Sequence, residues 1–295
     1  MTNAPHISFG VIARCHTPEV DRLVDALCTL DLPSSEIVIG VETPHVSSVT
    51  ERRDERGVRW LDMPRRHGVA YNRNRVLDAV RGEVLVGIDD DCMPSGAWPG
   101  PLLDALDDPS IDIAVGGVII PPAGLLGDAI SALGFPAGGA AGFEVMFPVG
   151  PDGRTDHVST VDWAARVKVL REVGGFDESL TYGCEDTDIA RRLVAAGRRI
   201  VHVPEAMVVH PARSTLREFT RWFYVRGRAE RQLARKTDVK LYIRHRLASY
   251  GHIIRDHAHE GRVLLIMGLI AGSVVCQQFG FLAETLHPTP APTDG

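Results

Sequence analysis

The order of hydrophobic and polar positions in the first 120 residues is typical of strands alternating with helices. Apolar runs predict buried strands at residues 7–13, 36–41, 83–88 and 112–120, and residues 58–61 are a further short strand candidate. Between these runs, apolar residues three or four positions apart predict helices at residues 19–30, 71–80 and 102–107. Strands without polar interruptions are usually covered on both faces. The pattern therefore predicts an α/β fold with a mostly parallel sheet and helices on both faces.

The second half of the chain is irregular at first and then strongly helical. Residues 121–150 are rich in Gly, Ala and Pro, and we expect an irregular loop that either shapes a site or is a surface insertion. Regular patterns return at 161–173, in a helix at 186–196 and in short strands at 199–203 and 207–210. Residues 216–255 have a basic helical pattern, which predicts a C-terminal helical extension.

Composition and cysteine spacing exclude several classes of protein. The chain has 295 residues, 44% hydrophobic and 24% charged, which is typical of a folded globular protein rather than a disordered one. The five cysteines are scattered and form no C-x-x-C pair, which argues against structural zinc and favours a reducing, cytosolic environment. No charged region precedes the first apolar run, so we expect no secretory signal.

Charge is distributed unevenly along the chain. Residues 213–262 contain 13 Lys and Arg against 5 Asp and Glu, whereas the rest of the chain contains 19 against 33. A basic segment suits nucleic acid, anionic lipid or a phosphorylated ligand. Because the pI of the whole chain is about 6.1, we expect no nucleic-acid partner.

An apolar run near the C-terminus has three possible roles. Residues 263–275 contain 13 positions without a charge, whereas crossing a bilayer takes roughly 20 apolar residues. A membrane-spanning helix, a helix lying on a membrane surface and a helix in an oligomer interface all fit this length. The basic residues that precede the run favour a membrane surface.

Three carboxylates follow the buried strand at 83–88, namely Asp89, Asp90 and Asp91. Adjacent anions repel one another, and a divalent cation such as Mg²⁺ or Mn²⁺ relieves that repulsion through oxygen ligands. Ligands also bind at the carboxyl ends of strands in open α/β sheets. The alternative is a solvated acidic turn.

Two further positions could carry chemistry. Glu185, Asp186 and Asp188 open a predicted helix, where acids either stabilise the helix N-terminus or present a general base. His210 ends an apolar run, where a histidine serves either a structural role or as a metal ligand.

Five blocks in this order resemble glycosyltransferase family 2. They are ISFGVIARCHTPEVDRLVDAL, EIVIGVET, HGVAYNRNRVLDAVRGEVLVGIDDDCMP, REVGGFDESLTYGCEDTDIARRL and EFTRW. The third block is similar to the family's A-R-N and D-x-D motifs, and the fourth to its Gly-Gly-Phe-Asp and Glu-Asp motifs. The chain departs from the family at Ala13–His16, at Glu42 and at Glu218, where the family has Pro-Thr-Tyr-Asn, Asp and Gln.

The resemblance implies a GT-A fold, a Rossmann-like α/β domain with a mostly parallel sheet, and a role for each matching residue. It implies that Asp89 contacts the donor ribose and that Asp91 binds Mn²⁺ or Mg²⁺, with Asp89 and His210 as further ligands. Asp186 is the implied base and Glu185 the neighbouring candidate. The implied donor contacts are Ala13, Glu42, Arg73, Asp89 and Asp90, and the implied acceptor or lid residues are Trp163, Arg221 and Trp222.

The implied activity is transfer of one sugar, with inversion, from a UDP-, GDP- or TDP-sugar to an acceptor hydroxyl. We expect a saccharide or lipid-linked acceptor of the cell envelope, and a location at the inner face of the cell membrane. The expected segments are a catalytic GT-A domain at 1–212, a basic helical segment at 213–262, an apolar helix at 263–284 and a disordered tail at 285–295.

Other functions fit less well. A haloacid-dehalogenase phosphatase requires Thr or Val where Met93 stands, and a nucleotidyltransferase requires a Gly-rich, Lys-containing signature after the first strand. A membrane-associated scaffold that has a glycosyltransferase shape but no turnover remains as the alternative.

Overall fold

A ten-stranded sheet forms the centre of the molecule. The structure is a computed structural model and describes residues 7–30, 32, 35–65, 67–237 and 240–289, without the side chains of 240–247. The strands are Ile7–Ala13 (β1), Ser35–Glu42 (β2), Thr50–Arg53 (β3), Arg59–Met63 (β4), Val84–Ile88 (β5), Met93–Pro94 (β6), Ile113–Ile119 (β7), Arg154–Thr155 (β8), Asp162–Arg166 (β9) and Ile200–Val209 (β10).

Ten α-helices surround this sheet in the described part of the chain. They are Pro18–Cys28 (α1), Val69–Ala79 (α2), Gly100–Leu106 (α3), Gly124–Ser131 (α4), Phe143–Met146 (α5), Val167–Glu172 (α6), Glu185–Ala195 (α7), Leu216–Leu233 (α8), Lys240–Asp256 (α9) and Val263–Leu286 (α10). A short 3₁₀ turn at Gly139–Ala141 lies between α4 and α5.

The sheet is mostly parallel, as the apolar pattern predicts. Its strand order is β3-β4-β2-β1-β5-β9-β7-β10-β6, with β8 also paired to β10. Neighbours from β4 to β5 pair in parallel. Strand β9 is antiparallel to both β5 and β7, and β10 is parallel to β7. Strands β4, β2, β1, β5, β7 and β10 therefore point the same way, and their carboxyl ends meet at one edge.

Helices cover both faces of the sheet, which explains why its strands read as continuous apolar runs. Helices α1 and α3 pack against one face through residues such as Leu23 and Leu102. Helices α2, α6 and α7 pack against the other face, where Leu77 and Ile189 are buried. The two faces together form the α/β core that the sequence predicts.

Several boundaries differ from the sequence prediction. The two strands predicted at 199–203 and 207–210 form the single strand β10, whose pairing with β7 shifts register between His202 and Met207. The stretch 121–150, expected to be irregular, contains α4 and α5. The basic stretch 216–255 divides into α8 and α9. Strand β3 was not predicted because all its residues are exposed and it has no apolar pattern.

A third hydrophobic core joins the C-terminal helices to the rest of the molecule. Phe219 and Phe223 of α8 pack with Ile253 of α9 and with Ile266 and Leu269 of α10. Among the described residues, α10 is the one helix that is long and apolar enough to cross a membrane. It continues to Leu286, two residues past the expected end at 284. Of the tail expected at 285–295, residues 290–295 lie outside the described part.

Candidate active site

A cleft of about 950 Å³ opens at the carboxyl ends of the central strands. Parallel strands bring their carboxyl ends to one edge, so residues far apart in sequence meet there. Nine of the residues singled out from the sequence line this cleft: Ala13, Glu42, Arg73, Asp89, Asp90, Glu185, Asp186, Arg221 and Trp222.

Arg73 joins the two acidic clusters. It is a buried residue of α2, and its Nε lies 3.2 Å from Glu185 Oε1 while its Nη2 lies 3.3 Å from Asp89 Oδ1. Gly68, just before α2, has φ of 94°, and a Cβ there would lie 2.6 Å from Thr181 Cα. Glycine therefore lets α2 begin against the chain that leads into α7.

Three carboxyl groups in the cleft, those of Asp89, Asp90 and Glu185, have a raised pKa. Burial raises the pKa of Asp89, although the Arg73 guanidinium opposes this effect. Burial also raises the pKa of Glu185, with the Asp186 carboxylate adding to the shift and Arg73 opposing it. The pKa of Asp90 rises to about 7 because of burial and the adjacent acids. These shifts favour the neutral carboxyl groups, and a bound cation would lower their pKa values again by stabilising the ionised form.

The two acids that open α7 have different surroundings. Glu185 is buried and contacts Arg73, whereas Asp186 is half-buried and accepts hydrogen bonds from the Thr187 backbone N–H and hydroxyl at 2.6 and 3.2 Å. Asp188 is buried behind them and accepts a hydrogen bond from Arg192 Nε at 2.7 Å. Asp186 is thus the acid of this cluster that is open to the cleft and that no arginine of the described residues contacts.

Asp91 and His210 meet beside the cleft. Asp91 Oδ2 lies 3.6 Å from His210 Nε2, and His210 Nδ1 lies 2.7 Å from the Pro211 carbonyl oxygen. An N–H on Nδ1 would donate to that carbonyl and leave Nε2 as a lone-pair donor facing Asp91. This carboxylate and imidazole fit a divalent metal ion.

Cys92 is the third residue of this cluster, whose candidate ligand atoms all lie within 4.8 Å of one another. Sequence analysis did not single it out, because a lone cysteine beside acidic residues gives no distinctive pattern. Burial and the surrounding carboxylates raise the pKa of the Cys92 thiol. Mg²⁺ and Mn²⁺ prefer oxygen ligands to sulfur, so the Cys92 thiol is a poor ligand for either ion.

One wall of the cleft comes from α8 and the middle of the chain. Trp222 packs against Phe135 with ring centroids 4.9 Å apart, and Arg221 lies beside it. Arg213 Cζ lies 5.0 Å from the Trp222 ring centroid. Sequence analysis missed Arg213, which belongs to no motif, whereas Phe135 lies in the stretch 121–150 that was expected either to shape a site or to be a surface insertion. Arg213 could have been found from the sequence only by its position, three residues after the candidate metal ligand His210.

Trp163 is not part of the cleft, contrary to its expected role at the acceptor side. It lies on β9, 3% exposed, with its ring edge-on to Phe176 at 6.2 Å between centroids. A Cβ on Gly87 of the neighbouring strand would lie 2.0 Å from Trp163 Nε1. The indole therefore fills the space that this glycine leaves in the core.

This mixed α/β architecture, with its cleft at the carboxyl ends of the strands, is a GT-A fold. Two solved structures share this fold. One is the mannosyltransferase PcManGT from Pyrobaculum calidifontis in complex with GDP-Man and Mn²⁺, with a TM-score of 0.57 and 16% identity over 98% of this chain and 89% of that one. The other is GalNAc-T7 with UDP, GalNAc and Mn²⁺, with a TM-score of 0.55 and 16% identity over 89% of this chain and 58% of that one.

Sequence comparisons identify the family. The model for glycosyl transferase family 2 matches residues 18–130, and the model for glycosyl transferase family group 2 matches residues 158–285. The chain belongs to glycosyltransferase family 2, as the ordered sequence blocks predict.

Curated relatives agree with this assignment. Pre-mycofactocin glycosyltransferases from two strains of Mycobacterium tuberculosis, CDC 1551 / Oshkosh and ATCC 25618 / H37Rv, are each 29% identical over 169 residues. Each match covers 54% of this chain and 33% of the relative, so the chain spans about a third of the length of these relatives.

Proposed function

We propose that this protein transfers a single sugar, with inversion, from a nucleoside-diphosphate sugar to an acceptor hydroxyl. The observation that carries the proposal is the meeting of two acidic clusters in one cleft, with Asp89 at the end of β5 and Asp186 at the start of α7. The nucleoside is that of UDP, GDP or TDP.

The donor is proposed to bind along the strand ends. Ala13, Glu42 and Asp90 line the cleft, and Asn72 Nδ2 donates to Glu42 Oε1 at 3.0 Å, which holds that carboxylate in place. Carboxylates fixed in this way can accept hydrogen bonds from ribose hydroxyls. Arg73 supplies the positive charge beside them.

A divalent ion, Mn²⁺ or Mg²⁺, is proposed to be held by Asp91 and His210. Asp89, which the resemblance implies as a further ligand, contacts Arg73 and is not part of this cluster of described residues. The ion would neutralise the negative charge that develops on the departing diphosphate. The structural relatives solved with Mn²⁺ support this choice of metal.

Asp186 is proposed as the base. It would accept the proton of the acceptor hydroxyl as that oxygen bonds to the anomeric carbon. The bond from this carbon to the diphosphate oxygen breaks, and its electron pair leaves with the nucleoside diphosphate. One displacement from the opposite face inverts the anomeric carbon. The arginine contact of Glu185 supports the choice of Asp186 over its neighbour.

The acceptor is proposed to be a saccharide, free or lipid-linked, that belongs to the cell envelope. Trp222 and Arg221 would contact it, because an aromatic face and a guanidinium suit sugar rings and their hydroxyls. We place the reaction at the inner face of the cell membrane, where such acceptors and cytosolic nucleotide sugars meet.

A donor panel tests the function. Purified protein is given UDP-, GDP- and TDP-sugars with Mn²⁺, with and without a membrane extract as the source of acceptor, and release of nucleoside diphosphate is measured. We expect release from one donor, abolished by EDTA and by Asp91→Asn. Cys92→Ser is the matched control and should retain release, because Mg²⁺ and Mn²⁺ prefer oxygen ligands and a thiol is not needed to hold them.

Two results would count against this function. Binding of a nucleotide sugar without turnover, even with membrane extract, would favour the non-catalytic scaffold. Release that persists in Asp91→Asn and in EDTA would remove the metal from the proposal.

A further inference from the structure

Helix α10 has two different faces. Its inward face is buried against the rest of the molecule through Ile266, Leu269, Ile270, Ser273, Gln277, Gly280 and Glu284. Its outward face carries a row of exposed apolar side chains, here called the α10 stripe: Leu264, Met267, Val274, Val275, Phe279, Leu282 and Leu286. At 1.5 Å per residue, this 24-residue helix is about 36 Å long, and the stripe follows most of it.

Polar groups and close backbone contact hold α10 along α8. Glu284 is fully buried and accepts a hydrogen bond from Arg228 Nη2 at 2.7 Å. Gln277 Nε2 donates to Glu230 Oε1 at 3.2 Å. A Cβ on Gly280 would lie 1.9 Å from the Tyr224 carbonyl oxygen, so the two backbones touch. If α10 left α8 and entered a bilayer, Glu284 would be placed in or near hydrocarbon without its arginine partner, which is strongly unfavourable.

This attachment is incompatible with a membrane-spanning α10. Helix α8 contains seven charged residues among its 18 positions. If α10 crossed a bilayer while bound to α8, those charges would enter hydrocarbon, at a cost of several kcal/mol each. A helix with one face on protein and one apolar face outward instead lies in the plane of a membrane surface.

The positive charge beside the α10 stripe indicates which kind of partner this surface binds. Arg217 and Arg221 of α8 line a shallow groove with Tyr224, Cys276 and Phe279, so guanidinium groups lie directly beside the stripe. Both arginines belong to the segment 213–262, whose sequence has a net charge of +8, from 13 basic and 5 acidic residues. A second copy of this chain would bring the arginines of two such grooves together, whereas anionic lipid complements them.

We propose that the α10 stripe docks in plane on an anionic membrane surface, with Arg217 and Arg221 at the level of the lipid head groups. Arg221 also lines the catalytic cleft, so docking brings the edge of the cleft to the membrane. A lipid-linked acceptor then reaches Asp186 without leaving the bilayer, a consequence that rests on the glycosyltransferase function proposed above.

Vesicle sedimentation tests the docking. The whole chain is mixed with phosphatidylcholine vesicles that contain or lack phosphatidylglycerol. We expect binding to the anionic vesicles, release of bound protein by high salt, and little binding to the neutral ones. The double variant Phe279→Gln/Leu282→Gln should bind roughly tenfold or more weakly, because it removes apolar groups that enter the interface.

Matched controls test whether the loss of vesicle binding depends on where a residue is replaced or only on the type of replacement. Val194→Gln makes a similar apolar-to-polar change on α7, at a residue 41% exposed, and should leave vesicle binding unchanged. Arg217→Gln should weaken binding to anionic vesicles about fivefold, whereas Arg22→Gln on the exposed face of α1 should not.

Each remaining outcome decides between docking and catalysis. If the wild-type protein releases nucleoside diphosphate but binds neither type of vesicle, the docking proposal is wrong and the proposed function stands. Protein that binds anionic vesicles but turns over no donor leaves the docking standing and removes the proposed function. Resistance of the bound protein to high salt and alkaline carbonate overturns the in-plane arrangement in favour of a span. A wild-type dimer that Phe279→Gln/Leu282→Gln dissociates, together with no vesicle binding, assigns the stripe to self-association.

Discussion

Arg73 Nε lies 3.2 Å from Glu185 Oε1, although these residues are 112 positions apart in the chain. The same guanidinium reaches Asp89 Oδ1 at 3.3 Å. Helix α2 therefore braces the end of β5 against the start of α7. The sequence motifs identify the two acidic clusters separately. In the structure the Arg73 guanidinium contacts an acid of each cluster and so joins them in one site.

Replacing Arg73 should destabilise the fold as well as the site. Arg73→Gln leaves the buried carboxyl group of Glu185 and the partly exposed one of Asp89 without their cation, and breaking a buried pair costs about 3–5 kcal/mol. Urea unfolding measures this loss. Arg75→Gln, on the same helix, is the matched control. Arg75 is partly exposed in its pairs with Glu178 and Asp78, so we expect a loss below about 1 kcal/mol. Equal losses of unfolding free energy in the two variants would show that the contacts of Arg73 stabilise the fold no more than the exposed pairs of Arg75 do.

Asp186→Asn should remove most of the transfer rate while leaving donor binding intact. A general base contributes about 10²- to 10⁴-fold to rate, and the amide cannot accept the acceptor proton. The rate constant for transfer and the calorimetric affinity for the nucleotide are both measured. Glu185→Gln serves for comparison. If Asp186→Asn keeps near-wild-type turnover while Glu185→Gln loses it, the base is Glu185.

The buried carboxyl of Asp162 should make stability depend on pH. Asp162 Oδ1 accepts from Trp98 Nε1 at 2.7 Å, while Oδ2 has no hydrogen-bond partner among the described residues. Burial raises the pKa of Asp162 to about 7, whereas an aspartate in an unfolded chain has a pKa of about 3.9. Between these pH values the folded state binds the proton more tightly, so this contribution to stability decreases as pH rises from about 4 to 7.

Asp162→Asn removes this titration. From pH 5 to pH 7 the free energy of unfolding of the wild type should fall by roughly 2–3 kcal/mol relative to the variant. Urea midpoints of both proteins across this range provide the measurement, and the variant corrects for every other titrating group. Parallel pH profiles for the two proteins would show that Asp162 stays ionised in the fold.

The close contact between α8 and α10 should be sensitive to one methyl group. Gly280→Ala forces a Cβ to 1.9 Å from the Tyr224 carbonyl oxygen, and overpacking of this kind costs about 1–3 kcal/mol. Gly268→Ala, on the same helix, meets no atom within 4 Å and should be neutral or stabilising by up to about 1 kcal/mol. Thermal unfolding compares the two variants. A stable Gly280→Ala protein would show that α10 shifts readily along α8.

The local pattern of the chain predicts much of the sheet and its helices. Continuous apolar runs identify β1, β2 and β5 because burial on both faces demands apolar side chains at every position. Strand β3 could not be predicted in this way, because it lies at the sheet edge with every residue exposed and so has no apolar run. The bulged strand β10 looks like two strands because its exposed residues Pro204 and Glu205 interrupt the apolar pattern.

The acidic motifs and their order are properties of the sequence, because each one spans a few neighbouring residues. Their roles in the site depend on contacts between distant segments. Only the tertiary structure pairs Arg73 with Glu185, separates Asp186 from its buried neighbours, buries Trp163 against Gly87 and turns one face of α10 toward α8. Hydrophobic periodicity records whether a side chain is buried. It carries no information about which distant element buries it, and that choice is made by the packing of the whole chain.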